Sequence, residues 1–156
     1  MQLNRRSLVA VLLTGTAAGF AEFARAAGYS LTDAQWRQKL SPMAYRVLRH
    51  ADTERPGTSP LLGEHRRGRF ACAGCDLPLF DSATKYDSGT GWPSFWQPLP
   101  GAVGTHTDYE IGFPRTEVHC SRCAGHLGHV FDDGPRPTGK RYCMNGVALV
   151  FHVGAA

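Results

Sequence analysis

The sequence predicts a small, mainly β domain with two short helices at its N-terminal edge. Two observations carry that reading. After Gly68 the apolar residues come in short runs separated by turn residues, so that RFACA (69–73), TEVHC (116–120), GHVF (128–131) and NGVALVFHV (145–153) read as strands. Ahead of Gly68 the pattern is helical and polar, with Trp36 and Leu40 four residues apart in AQWRQKL.

The first 26 residues stand outside that domain. They combine Arg5 and Arg6, an apolar stretch from Leu8 to Ala21, and the small-residue end Ala24-Arg25-Ala26. This is the layout of a cleaved export signal, and Arg5-Arg6 ahead of Ser7-Leu8-Val9 points to the twin-arginine route, with an ordinary secretory signal or an uncleaved N-terminal anchor as the alternatives. The apolar stretch is short for a membrane span and is followed by Glu22, so no stable membrane association is expected once it is cleaved. A periplasmic protein is the expectation. Residues 27–156 then form one domain of 130 residues, enough for a single core.

Within that domain, Ser30 or Thr32 can cap the first helix, and Ser41-Pro42 restarts a second, MAYRVLRH (43–50), because proline suits the first helical position. Residues 51–64, rich in Pro, Gly, Thr and Ser, read as a connector wrapping the surface. SGTGWPSF (88–95) and DDGPRPTG (132–139) read as loops. Loss of the leader removes three arginines and one glutamate, so the formal charge falls from +4 to +2. That balance, with His65-Arg66-Arg67-Gly68-Arg69 as the strongest basic cluster, excludes nucleic acid as a partner.

Five cysteines carry the chemistry. Four form two C-x-x-C pairs, Cys72 with Cys75 and Cys120 with Cys123, each at the end of a strand-like run. Together they suit the four corners of a structural zinc site. With 44 residues between the pairs, two disulfides remain open for an exported protein. A thioredoxin-like redox pair lacks its strand–helix context. The twin-arginine route carries folded proteins, so zinc loaded in a reducing cytoplasm would protect the thiolates. The fifth, Cys143, lies in RYCMN (141–145). A lone cysteine in an apolar strand is most simply a small buried hydrophobe. Arg141 and Asn145, two positions to either side, would however share its face, and a cation there favours the nucleophilic thiolate.

The longer motifs supply a resemblance. GTGWPSF (89–95), PRTEVHCSRC (114–123), GHLGHVFDDGP (125–135) and PTGKRYCMNGVALVF (137–151) resemble B-type methionine sulfoxide reductases. So do CAGCDLPLF with DSATKYDSG, and LSPMAYRVLRHADTE upstream. The resemblance runs from about Leu31 to Phe151 with order and spacing kept. It implies two small antiparallel sheets, zinc on the two C-x-x-C pairs, and reduction of methionine-R-sulfoxide in oxidised proteins. It places the nucleophile at Cys143. A thiolate attacking a sulfoxide sulfur needs a proton on the departing oxygen, and an imidazole is the natural donor. His129 is the expected donor, with His106 helping to hold or protonate the oxygen and Asn145 orienting the site. Trp92, His126 and Phe131 are expected at the substrate, with Trp92 as the wall for its methyl group. Each histidine and aromatic has a blander reading as part of the core.

Two positions depart from the family: Asp132-Asp133 stand where relatives have the Pro of FPDGP, with no functional meaning attached, and the second bears on the chemistry. Many relatives carry a resolving cysteine two residues before the Trp of GWPSF, and here that residue is Thr90. The sequence therefore reads as a one-cysteine member, a monomer, whose Cys143 sulfenic acid is reduced by an external, thioredoxin-like thiol. The contrasting hypothesis is a zinc-stabilised binding module without catalysis, indifferent to Cys143→Ser.

Overall fold

Thr32 opens the first helix as the sequence leads one to expect. Its hydroxyl accepts from the Gln35 backbone N–H while the Gln35 side chain returns to the Thr32 N–H, a complete capping box for α1 (Asp33–Lys39). Ser41 caps α2 (Pro42–His50), with Pro42 in its first turn and Ala51 closing it in the left-handed conformation. Such a cap contributes about 1 kcal/mol. Helices this short are marginal alone, so burial of Trp36, Tyr45, Val47 and Leu48 is what holds them. The computed structural model describes residues 29–154. The export signal expected in residues 1–26 lies outside the described residues.

Among the described residues nine strands follow: β1 (Gly68–Cys72), β2 (Pro78–Asp81), β3 (Lys85–Tyr86), β4 (Ser94–Phe95), β5 (Val103–Asp108), β6 (Arg115–Cys120), β7 (His126–Phe131), β8 (Arg141–Met144) and β9 (Leu149–Val153). They form two antiparallel sheets, one in the order β2-β1-β9 and one in the order β3-β4-β8-β7-β6-β5. Phe70 and Phe80 from the small sheet meet Phe95 of the large one at ring-centroid distances of 4.9 and 4.3 Å. Leu79, Val118, Leu127 and Met144 complete a shared core without solvent exposure. Among the described residues no helix is long and apolar enough to cross a membrane.

Three sequence readings are corrected. NGVALVFHV is not one strand: β8 ends at Met144, a 3-10 turn takes Gly146–Ala148, and β9 joins the other sheet. VGTHTD (103–108), to which the sequence reading assigned no element, is the edge strand β5. The segment 51–64 is not merely superficial. Glu54 is only 3% exposed, and its carboxylate accepts from the backbone N–H groups of Gly146 and Val147. It thereby caps the 3-10 turn from a distant part of the chain.

Candidate active site

The register of the large sheet creates the site. Across four neighbouring strands His106 pairs with Glu117, Glu117 with His129, and His129 with Cys143. Directly opposed residues point to the same face, so these side chains stand in a row. Gly128 permits the tight β7–β8 approach: a Cβ there would sit 2.1 Å from the Cys143 carbonyl oxygen. Cys143, His129, Phe131, Trp92, Asn145, Thr53 and Arg115 line one open cleft with about 430 Å³ of empty space. That is the low end of the range for small-ligand pockets, with room for one amino-acid side chain.

Each wall has a local cause. Phe131 opposes Arg141 in register, and the Arg141 guanidinium lies 4.4 Å over its ring while gripping Asp133 through Nε and Nη2 at 2.8 and 2.9 Å. Trp92 is fixed by its indole N–H, which donates to the Glu54 carbonyl at 3.0 Å. Asn145 accepts from the Glu54 N–H at 2.9 Å and donates to the Leu127 carbonyl at 3.1 Å. Its amide thus ties three segments together behind the thiol. Thr90 places its hydroxyl 3.7 Å from the Cys143 sulfur, and Ser88 bridges Thr90 to Ser94 at 2.8 and 2.7 Å.

His129 has a carboxylate partner that the sequence reading missed. Its Nε2 lies 2.6 Å from Asp108 Oδ2, which also accepts from Arg115 at 2.6 Å. The Glu110 N–H on the other oxygen, then His129 and Arg115, hold the Asp108 carboxyl well below the usual carboxylate range. Burial pushes the His129 imidazole below its ordinary value, outweighing the opposite pull of Asp108. An ionised carboxylate only accepts, so the neutral ring carries its proton on Nε2 and keeps Nδ1 as an acceptor.

The structure does not bring two of the expected histidines to the thiol. His106 is three strands from Cys143, roughly 14 Å at about 4.8 Å per strand, and its side chain is 61% exposed. His126 does not line the cleft. A three-residue offset along a strand turns two side chains to opposite faces. In β7, however, the extra residue Leu127 sets His126 opposite His119, on the face of Glu117; its ring centroid lies 5.4 Å from that of His129, but its Nδ1 pairs with Glu117 at 2.8 Å instead of entering the cleft. Asp108 went unread because β5 did, and with it the carboxylate that Arg115 steadies. Asp108 and Arg115 are register partners at the end of the β5–β6 hairpin, and the matched signs of HTD (106–108) and RTE (115–117) were the available signal.

The four remaining cysteines converge elsewhere, where β1 and β6 end. Their sulfurs lie within 4.8 Å of one another, with Cys72–Cys123 at 3.7 Å and Cys75–Cys120 at 3.5 Å. Thiolates about 2.3 Å from a tetrahedral ion are about 3.8 Å apart, so the cluster fits a metal such as zinc. The two turns share one backbone plan. Cys72 N–H donates to Leu77 and Asp76 N–H to Cys72; Cys120 N–H donates to Gly125 and Ala124 N–H to Cys120. Asp76 and Ala124 both take the left-handed conformation.

The SelR domain family matches residues 40–153. The chain belongs to the SelR-domain family. A protein of Agrobacterium fabrum named peptide methionine sulfoxide reductase MsrB is 54% identical over 121 residues, covering 77% of this chain and 90% of that relative. A protein of the same name from Thiobacillus denitrificans is 56% identical over 122 residues, covering 78% and 92%. The chloroplastic peptide methionine sulfoxide reductase B1 of Arabidopsis thaliana is 53% identical over 121 residues, covering 77% of this chain and 60% of the relative. The SelR match begins at Leu40, so it includes α2, both cysteine turns and every residue of the cleft.

Proposed function

We propose that this chain reduces methionine sulfoxide residues in oxidised proteins, with preference for the R epimer. The observation that carries the reading is the opposition of Cys143 and His129 in one cleft beside the indole of Trp92. Neutral His129, oriented by Asp108, takes the Cys143 thiol proton on Nδ1. The thiolate attacks the sulfoxide sulfur, and the imidazolium returns the proton to the oxygen as it leaves sulfur. Oxygen passes to Cys143 as a sulfenic acid, and the methionine sulfur gains the two electrons that Cys143 loses. A thioredoxin-like thiol then attacks the sulfenic sulfur, releasing water and leaving a mixed disulfide. A second thiol of the donor resolves that disulfide and restores Cys143.

Trp92 and Phe131 wall the substrate methyl group in this scheme. Asn145 positions the strand end and touches no reacting atom. The four-cysteine centre holds a structural zinc ion and takes no part in the steps. Residues 1–26 direct a monomeric mature protein to the periplasm.

The deciding experiment is turnover of the separate R and S sulfoxide epimers, with dithiothreitol as reductant, by wild type and Cys143→Ser purified from the periplasm. R-selective reduction that disappears in the variant, on protein lacking residues 1–26, is expected. Equal use of both epimers, or activity retained in the variant, contradicts the enzyme reading; an intact N-terminus contradicts the leader.

A further inference from the structure

His106, displaced from the cleft, belongs to a second constellation on the β5–β6 hairpin. His106 opposes Glu117 and His119 opposes Gly104, so the four positions form a square on one face. Both imidazoles turn Nδ1 to the same carboxylate oxygen, Glu117 Oε2, each at 3.0 Å. The ligand atoms of the three residues all lie within 4.8 Å of one another.

Several features suit this group to more than a shared hydrogen bond. An ion about 2.0–2.1 Å from tetrahedral nitrogen and oxygen ligands separates them by about 3.4 Å, so the present 3.0 Å contacts need open only slightly. The carboxylate is held from behind, since its other oxygen accepts from the buried His126 Nδ1 at 2.8 Å. Ligands fixed from behind in this way are the rule in metal sites. Gly104 leaves the room: a Cβ there would stand 2.4 Å from His119 Nε2, so only a bare backbone lets the ring lie across β5. Glu117 is 6% exposed, and among the described residues its ionic partners are imidazoles alone, with no lysine or arginine on it. A buried carboxylate with no permanent cation beside it gains from a metal ion.

We propose that His106, Glu117 and His119 form a second metal site, for a divalent first-row transition ion, separate from the four-cysteine centre. Two imidazoles and one carboxylate suit Zn²⁺, Cu²⁺ or Ni²⁺ rather than the hard ions Mg²⁺ and Ca²⁺. The exposed side of His106 admits the ion and leaves water to complete its coordination. Binding pins the edge strand β5 to β6, two residues before Asp108 reaches His129. The ion thereby steadies the strand that orients the imidazole of the cleft.

The test is Zn²⁺ uptake by full-length mature protein whose four-cysteine centre is already loaded, followed by calorimetric titration and metal analysis. Wild type takes up one further zinc ion per chain. His106→Ala, at an exposed position that leaves folding intact, weakens that step at least about tenfold, the low end of what losing even a residue behind a ligand costs. His106→Ala/His119→Ala abolishes it, while both keep the first ion. Cys143→Ser binds the second ion as wild type does, which separates this site from thiolate capture in the cleft. No further zinc on wild type, an unchanged second step in the double variant, or its loss in Cys143→Ser would each overturn the proposal.

Discussion

Thr90 holds its hydroxyl 3.7 Å from the Cys143 sulfur. A sulfur in its place has to close that gap to about 2.05 Å, a shift that side-chain rotation and a small loop adjustment can supply. Thr90→Cys should therefore convert the protein to one that resolves its own sulfenic acid. After a single turnover without reductant, mass spectrometry is expected to find a disulfide between the introduced thiol and Cys143 in the variant, and a trappable sulfenic acid in wild type. Recovery of a sulfenic acid in the variant as well would show that residue 90 does not reach the oxidised sulfur. At this scale the sequence was most legible where chemistry lies along one strand: Cys143 and its two polar neighbours, Arg141 and Asn145, sit within five residues. It was least legible for Asp108, which reaches His129 only because β5 and β7 flank β6.

The segment between α2 and β1 behaves as a strap. From it, Glu54 fixes Trp92 through its carbonyl, Asn145 through its N–H, and the turn at Gly146 and Val147 through its carboxylate. Glu54→Ala leaves the buried Gly146 N–H and the half-buried Val147 N–H without acceptors, at roughly 1–3 kcal/mol for a buried group. Denaturant unfolding should find the variant about 2–4 kcal/mol less stable, with kcat/KM reduced because the carboxylate no longer fixes the position of the residue-54 backbone groups that hold Trp92 and Asn145. A change under about 0.5 kcal/mol would mean that water replaces the carboxylate at no loss. Helix caps were readable because Thr32 and Gln35 are three residues apart. The strap was not, because Glu54 and Asn145 are separated by 91 positions and nothing local marks their meeting.

At the scale of the molecule, the four cysteines bridge the two sheets, since Cys72 ends β1 and Cys120 ends β6. Arg122 reaches from one turn to the Cys75 carbonyl, and Arg49 of α2 reaches the Cys123 carbonyl, so the helices depend on the same junction. Energy of metal binding there is folding energy. Cys72→Ser, or wild type stripped by a chelator under reducing conditions, should lose the ion and melt at least about 10 °C lower, the shift that a few kcal/mol produces in a domain of this size. A metal-free protein with unchanged Tm would reduce the cluster to ordinary packing. Both C-x-x-C pairs were visible in the sequence; that they meet was not, because it depends on how β1 and β6 end in separate sheets.

The row from His106 to Cys143 is assembled by strand pairing rather than by loops, and this sets what the protein can tolerate as it diverges. An extra residue in the tip between Asp108 and Arg115 lengthens a hairpin and leaves the pairing on either side alone. The same residue inserted between Gly128 and His129 either turns the imidazole to the opposite face, if Gly128 keeps its place, or takes the place of Gly128 and lodges a side chain against the Cys143 carbonyl. Length variation is thus confined to the ends of this sheet, while β7 and β8 admit only substitutions that keep their count.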